Sequence, residues 1–410
     1  MNADQTVENL PPPLRRFVGE IVDVDSHEML PAQIWEREMG PIAKDFAHHW
    51  LNNGMDSTSD RNHPNVPGYK NDDAPIDPKT IWQKKGSAAP GAADPSRRVA
   101  VMDAMGIKRQ LMFPTSGMFG VFLVHLHPDY GYGKELKRNR KEYGLELVKA
   151  YNQWGMKVAR YSDRVRPALP VFAESVERLM ETTRELIDNG VRAIWMPSGM
   201  PPGGKSPAHP DLDPFWSMME ERNIAVCLHI GLDSHIFGTD VWSDAPPFKG
   251  FKAQGEFRLD PWSMANQHTT SQNFVLTMVL GGVFERHPML RFGIIELGAG
   301  WIGPLCDLMD MWYEQDPGRV KDRERTTFRL PRKPSYYVKR NIRVSGFDFE
   351  PFAKYVTQYG LEDVLSFATD YPHVEGGQNP IGRTYESLKS LGQEVVEKFF
   401  VTNGRWLLPD

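Results

Sequence analysis

Cysteine is almost missing from this chain: among 410 residues only Cys227 and Cys306 occur. So few thiols exclude a disulfide-stapled scaffold and fit a reducing compartment, so a cytoplasmic location is expected. Long hydrophobic runs are missing as well. No window reaches the roughly 18 apolar residues of a membrane span, and residues 1–20, with three consecutive prolines and no apolar centre, do not read as a signal peptide. Positive charge is not in excess either; the net charge of −5 gives no electrostatic reason to expect nucleic acid or an anionic membrane as a partner. A glycine-rich phosphate turn is absent after the first apolar run, which argues against a doubly wound nucleotide-binding sheet. A small-molecule substrate or a protein partner is the expectation that these exclusions leave.

What is present is ordinary globular material, 40% hydrophobic and 25% charged. Apolar, β-branched runs begin at Ile21 and recur at 110–113, 165–171, 191–196, 224–230, 291–296, 341–345 and 364–370. Helical patterns follow nearly every one: 97–105, opened by Asp94-Pro95-Ser96 and stopped at Gly106, then 135–160, 174–189, 214–222, 264–284 and 301–313. Eight near-continuous apolar strands alternating with helices predict a closed parallel (β/α)8 TIM barrel with long rim-loop insertions. Residues 1–20 are an N-terminal extension and 21–410 a single barrel. Its insertions span about 41–97, a polar stretch with His48, His49 and His63, and 231–262. Segments of that length with no pattern of their own serve as lids or oligomer contacts.

Chemistry in such a barrel gathers at the C-terminal ends of the strands. The first run ends Asp25-Ser26-His27, and period-two alternation puts Asp25 and His27 on one face, where a carboxylate and an imidazole can grip a metal ion or simply hydrogen-bond to each other. The fifth run holds His229, the sixth ends in Glu296 and the eighth in Asp370, whereas Thr115, Phe172, Ser198 and Gly346 close the others. Five such side chains on one rim would be costly polar groups unless they share a task, so the pattern favours a divalent-metal site. His373 can touch substrate or pack as a loop residue; His268 and His287 flank a helix where capping or surface roles suffice; His125, His127 and His235 fall on rim loops. Trp301 and Trp312 read as packing rather than a binding box, and Cys227 as a small buried side chain.

Taken together, Asp23-Val24-Asp25-Ser26-His27, the 91–95 and 102–106 segments, His229, Gly281-Gly282-Val283-Phe284-Glu285-Arg286-His287-Pro288, Glu296-Leu297-Gly298-Ala299-Gly300-Trp301 and Thr369-Asp370-Tyr371-Pro372-His373 carry a resemblance. From Val22 to about Leu408 the chain resembles the amidohydrolase-related branch of the amidohydrolase superfamily, which includes aromatic-acid decarboxylases. The resemblance implies one divalent ion, zinc or manganese with iron a further option, held by Asp25, His27, His229 and Asp370. Two departures stand out. Members commonly carry His-x-His or Glu-x-His where this chain has Asp25-x-His27, and many have a catalytic histidine where it has Glu296.

The expected activity is hydrolysis, or non-oxidative decarboxylation, of a small carboxylate-bearing or aromatic compound. Asp370 would take the proton of a metal-bound water whose pKa falls from about 15.7 toward 7, and Glu296 would relay protons. One alternative is a dinuclear iron or manganese oxygenase, with Glu296, His373 or His268 on the second ion. Another is a non-catalytic scaffold subunit. A homo-oligomer, or a hetero-oligomer with a paralogue, is expected.

Overall fold

The computed structural model describes residues 8–52, 71–125, 136–230, 245–246, 261–315 and 330–410. Eight parallel strands lie in sequence order: β1 (Ile21–Asp23), β2 (Ile107–Met112), β3 (Val165–Pro170), β4 (Ala193–Trp195), β5 (Ala225–His229), β6 (Arg291–Ile295), β7 (Ile342–Ser345) and β8 (Leu365–Ser366). Each ladder joins consecutive strands, so every crossover passes through a helix on the outside. The (β/α)8 barrel expected from the alternation is the observed fold.

The helices begin and end for local reasons. Asp94 accepts from the Ser96 amide ahead of Pro95–Met105, and Gly106 ends that helix with φ 76. Asn139 and Ser175 cap Arg140–Ala159 and Val176–Asp188 in the same way. Asn139 also explains why the helix expected from 135 starts at Arg140. The single helix expected over 264–284 is three, Pro261–Asn266, Thr269–Leu280 and Val283–Arg286, with Gly282 at φ 71 at the last break.

Three further helices occupy stretches for which the sequence predicted none: Met118–His125, which has no amphipathic period, and the short amphipathic Pro334–Asn341 and Phe352–Tyr359. Met118–His125 is apolar nearly all round and crosses Arg140–Ala159 so closely that a Cβ at Gly144 would lie 2.7 Å from the Gly120 carbonyl. A helix buried on most sides carries no amphipathic signal. The 41–97 insertion holds Lys44–Asn52 and buries Ile81 and Lys85. Most of 231–262 lies outside the described residues, as do His63, His127, His235 and the side chain of His49. Among the described residues no helix is long and apolar enough to cross a membrane.

The N-terminal mouth is sealed by the end of the chain. Arg109 donates to the Leu408 carbonyl at 2.8 Å and to Asp410 at 3.0 Å, Arg166 and Arg291 donate to the Pro409 and Trp406 carbonyls, and Arg343 lies 4.0 Å over the Trp406 ring. Only the other mouth is left for chemistry.

That mouth depends on the seam between β8 and β1, where β8 is two residues long. Backbone bonds from Val24 to Phe367 (3.0 Å), Asp370 to Asp25 (2.8 Å) and His27 to Tyr371 (2.7 Å) close it. Buried Asp23 accepts from the amides of Asp25 and Thr369, the Thr369 hydroxyl and Gln110. Buried Arg98 reaches the carbonyls of His27 (2.5 Å), Gly91 (3.2 Å) and Tyr371 (3.4 Å). Removing either side chain strands several buried partners, each at about 1–3 kcal/mol. Asp23→Ala is therefore expected to lower stability by at least about 3 kcal/mol, read as a fall in the midpoint of chemical unfolding. A midpoint unchanged from wild type would refute this account of the seam.

Candidate metal centre

Ser26 points away from the barrel mouth, its hydroxyl 2.5 Å from the Leu111 carbonyl, so its neighbours Asp25 and His27 face inward together. His229 is the last residue of β5; its ring stacks on Phe113 (4.1 Å, 6°) and meets the Trp195 edge at 5.8 Å. Trp195 also donates to the His229 carbonyl at 3.1 Å. Glu296 follows β6, its amide donating to the Ser345 hydroxyl at 3.0 Å, and Asp370 follows β8.

Three of these strand ends bend through left-handed backbone without glycine: Ile230 (φ 49), Glu296 (φ 56) and Asp370 (φ 52). Such residues cost about 1–3 kcal/mol each and persist where surrounding structure imposes them; for β-branched Ile230 the conformation is a genuine outlier. The bends turn both carboxylates into the mouth.

The donors converge. Asp25, His27, His229 and Glu296 each offer one atom within 4.8 Å of the others, and a second group of His27, Asp370 and His373 does the same. His27 Nε2 lies 3.5 Å from Asp25 Oδ1, 3.3 Å from Glu296 Oε2 and 3.4 Å from Asp370 Oδ1. His229 Nε2 lies 2.9 Å from Glu296 Oε2 and 3.9 Å from Asp25 Oδ1. Yet none of these atoms has a hydrogen-bond partner, although oxygens and ring nitrogens stand 2.9–3.9 Å apart. Ligands about 2.0–2.2 Å from one ion stand about 3 Å apart, so both the spacing and the orphaned atoms fit a bound divalent cation.

Electrostatics point the same way. Burial pushes Asp25 up to about 7, with Glu296 adding to the shift and His27 opposing it. Asp370 rises well above the usual carboxylate range through burial and the charges of Glu296 and Asp25. Glu296 resists its burial and stays low because His229 and His27 face it. Burial works against a charged His27, but Asp25 and Glu296 lift it to about 10, whereas burial takes His229 down to about 4. Left to themselves these groups cannot all ionise, and a doubly charged cation would let the acids ionise beside neutral imidazoles.

Other residues matter, and of these Thr115, Glu28 and Lys85 were given no site role by the sequence. The Thr115 hydroxyl, at an uncharged strand end, lies 3.3 Å from His27 Nδ1 and 2.8 Å from His373 Nε2. His373 stacks on His27 at 3.9 Å and faces Asp370 Oδ1 at 3.6 Å. Buried Glu28, next after His27, accepts from the Thr115 and Ser116 amides and so sets the loop that carries Thr115. Only an acid following the Asp-x-His run hinted at it. Lys85, buried in the 41–97 insertion, lowers the Asp370 and Glu375 carboxyls electrostatically. His268 lies outside both donor groups and stacks on Trp301 at 5.5 Å, and His287 faces Asp213 (3.4 Å) and Glu220 (3.7 Å). Trp301 is nearly buried, Trp312 is exposed, and Cys227 is buried.

Ion uptake displaces the protons of Asp25, near 7, and His27, near 10, so affinity is expected to weaken as pH falls, by about tenfold per unit above pH 7 and by up to about a hundredfold per unit below it. Zinc titrations between pH 6 and 8 read this directly; an affinity that does not change with pH contradicts it.

The amidohydrolase family model matches residues 137–409. Solved structures share the fold across the chain. An amidohydrolase from Mycobacterium avium subsp. paratuberculosis K-10 superposes with a TM-score of 0.64 at 18% identity, covering 95% of this chain and 98% of its own. For 2,6-dihydroxybenzoate decarboxylase from Rhizobium the values are 0.57, 15%, 95% and 98%. For 5-carboxyvanillate decarboxylase from Novosphingobium aromaticivorans, solved with manganese and a nitrobenzoic acid, they are 0.53, 17%, 94% and 95%. No curated protein matches the sequence. With the family model covering well over half of the chain, and the barrel and its inward-facing donors in place, this protein belongs to the amidohydrolase family of enzymes.

Proposed function

We propose that this protein is a divalent-metal-dependent, non-oxidative decarboxylase of a small aromatic acid. The observation that carries the metal dependence is the convergence of buried, hydrogen-bond-free donor atoms from Asp25, His27, His229, Glu296 and Asp370 at the open mouth of the barrel. The choice of decarboxylation over hydrolysis draws on similar folds whose names are those of aromatic-acid decarboxylases.

Asp25, His27 and His229 would hold the ion with carboxylate help, and zinc or manganese suits that mixture of oxygen and imidazole donors. When bound, the ion supplies a Lewis acid that orients the substrate carboxylate and a neighbouring oxygen. Asp370, whose Oδ2 has no hydrogen-bond partner, delivers a proton to the ring carbon that bears the carboxylate. The bond to the carboxylate then breaks, its electron pair restores the ring, carbon dioxide leaves, and solvent reprotonates Asp370. Phe113 and Trp195, packed around His229, keep that side of the site dry. In hydrolysis the same carboxylate would instead accept the proton of water.

A second reading, oxygenation at a dinuclear iron or manganese centre, draws on the second donor group of His27, Asp370 and His373.

The test is to purify the protein without chelators, count metal equivalents, and assay a panel of hydroxylated benzoic acids for released carbon dioxide. One equivalent of zinc or manganese with carbon dioxide release is expected, and Asp370→Asn should lower kcat/KM by about 10²–10⁴-fold. Turnover of amide or ester substrates without carbon dioxide would replace this reading with hydrolysis. Two equivalents including iron, with oxygen consumed, would replace it with the oxygenase.

A further inference from the structure

His268, which neither donor group includes, heads the helix Thr269–Leu280. That helix leads into β6 from the loop after β5, so it runs back from the open mouth and its first turn lies at the rim. Neighbouring side chains fix it there. The Thr270 hydroxyl meets that of Ser198, just beyond β4, at 2.8 Å, and His268 stacks on Trp301 at 5.5 Å. Trp301 in turn donates to the carbonyl of Leu297, the residue after Glu296, at 3.1 Å. The helix therefore starts in the corner between the ends of β4, β5 and β6, beside the strand ends that carry His229 and Glu296.

Two features of this corner call for a ligand. An N-cap residue usually supplies a side-chain oxygen to the first amides, but His268 gives only its carbonyl, to the Gln272 amide at 2.7 Å, and its ring makes no cap. First-turn amides have no intrahelical acceptor, and together they leave about half a positive charge at the rim. Burial pushes the His268 imidazole down, against a hydrogen bond with Gln272, so that charge belongs to the helix and not to a histidinium. The second feature is Ser271, 0% exposed, whose Oγ has no hydrogen-bond partner. It opens the buried stripe Ser271, Phe274, Val275, Met278 and Val279, and side chains of a helix tilt toward its N-terminus. The hydroxyl is thus aimed inward and toward the mouth, where a buried donor without an acceptor is costly until a ligand meets it.

The geometry points to an anion subsite: the first turn of Thr269–Leu280 and the Ser271 hydroxyl receive a second carboxylate carried by the aromatic acid. This deepens the decarboxylase reading and rests on it. A carboxylate suits the corner better than a neutral hydroxyl, because it brings a full charge to the helix terminus and two oxygens, one for the amides and one for Ser271. The reacting carboxylate and the oxygen beside it lie on the ion's side of the site, so the group read here is a further substituent of the ring. Ser271 and the first-turn amides touch that substituent and not the bond that breaks. They determine which acid binds.

The experiment titrates zinc-loaded wild type, Ser271→Ala and Thr269→Glu by calorimetry with benzoate, isophthalate and terephthalate. Wild type is expected to bind the better dicarboxylate at least about tenfold more tightly than benzoate. Ser271→Ala should cut that ratio by at least about fivefold, and Thr269→Glu, which places its own acid at the helix terminus, should bring it to about one. Zinc content should be equal in all three. If Thr269→Glu does not fold, Ser271→Ala decides, because it removes one oxygen and introduces the best helix former. A wild-type ratio near one, with benzoate bound, would overturn the subsite and leave the decarboxylase reading intact. A preference retained in the variants would overturn it by placing the second carboxylate elsewhere. Wild type that binds none of the three acids and releases no carbon dioxide from hydroxylated benzoic acids would remove the decarboxylase reading, and this proposal with it.

Discussion

Everything at the barrel mouth depends on one seam. β8 contributes only two residues to the ladder, so sheet hydrogen bonding alone is a weak closure. The deficit is made good by side chains: Asp23 gathers donors from β1, β2 and the end of β8, and Arg98 gathers carbonyls from the same region. Both are fully buried, where each bond is strengthened by the low dielectric and each loss is felt in full. The same clamps hold Asp25, His27 and Asp370 at their mutual distances, so closing the barrel and building the site are one structural event.

Backbone strain accompanies two of the carboxylates at the mouth, Asp370 at the seam and Glu296 beyond β6. A carboxylate can be turned into the mouth from a strand end only if the backbone leaves the extended region, and Glu296 and Asp370 do so with left-handed φ values. Stabilisation for this comes from fixed neighbours, the Ser345 hydroxyl on the Glu296 amide and the Asp25 carbonyl on that of Asp370. The penalty, about 1–3 kcal/mol at each residue, is sustained because the surrounding structure imposes the bend.

Legibility followed the physics of each signal. Strands buried on both faces, outward against helices and inward in the barrel, become continuous apolar runs, and all eight could be read directly. Helices were legible where one face meets water and a cap precedes them, as at Asp94 and Ser175; Met118–His125, buried nearly all round, had neither mark. Among site residues, those on the chemistry-bearing list of acids and imidazoles stood out at strand ends, whereas Thr115 did not, because a threonine ending a strand is commonplace until its two histidine neighbours are seen.

Local sequence by itself determined the alternation of strand and helix, hence the barrel, and with it the rim on which Asp25, His27, His229, Glu296 and Asp370 must lie. Tertiary structure alone decided which of them meet. Whether Glu296 or Asp370 faces both imidazoles depends on backbone bends at two strand ends and on the stagger between strands β5, β6 and β8. Those are set by long-range closure of the barrel, and no stretch of neighbouring residues encodes them.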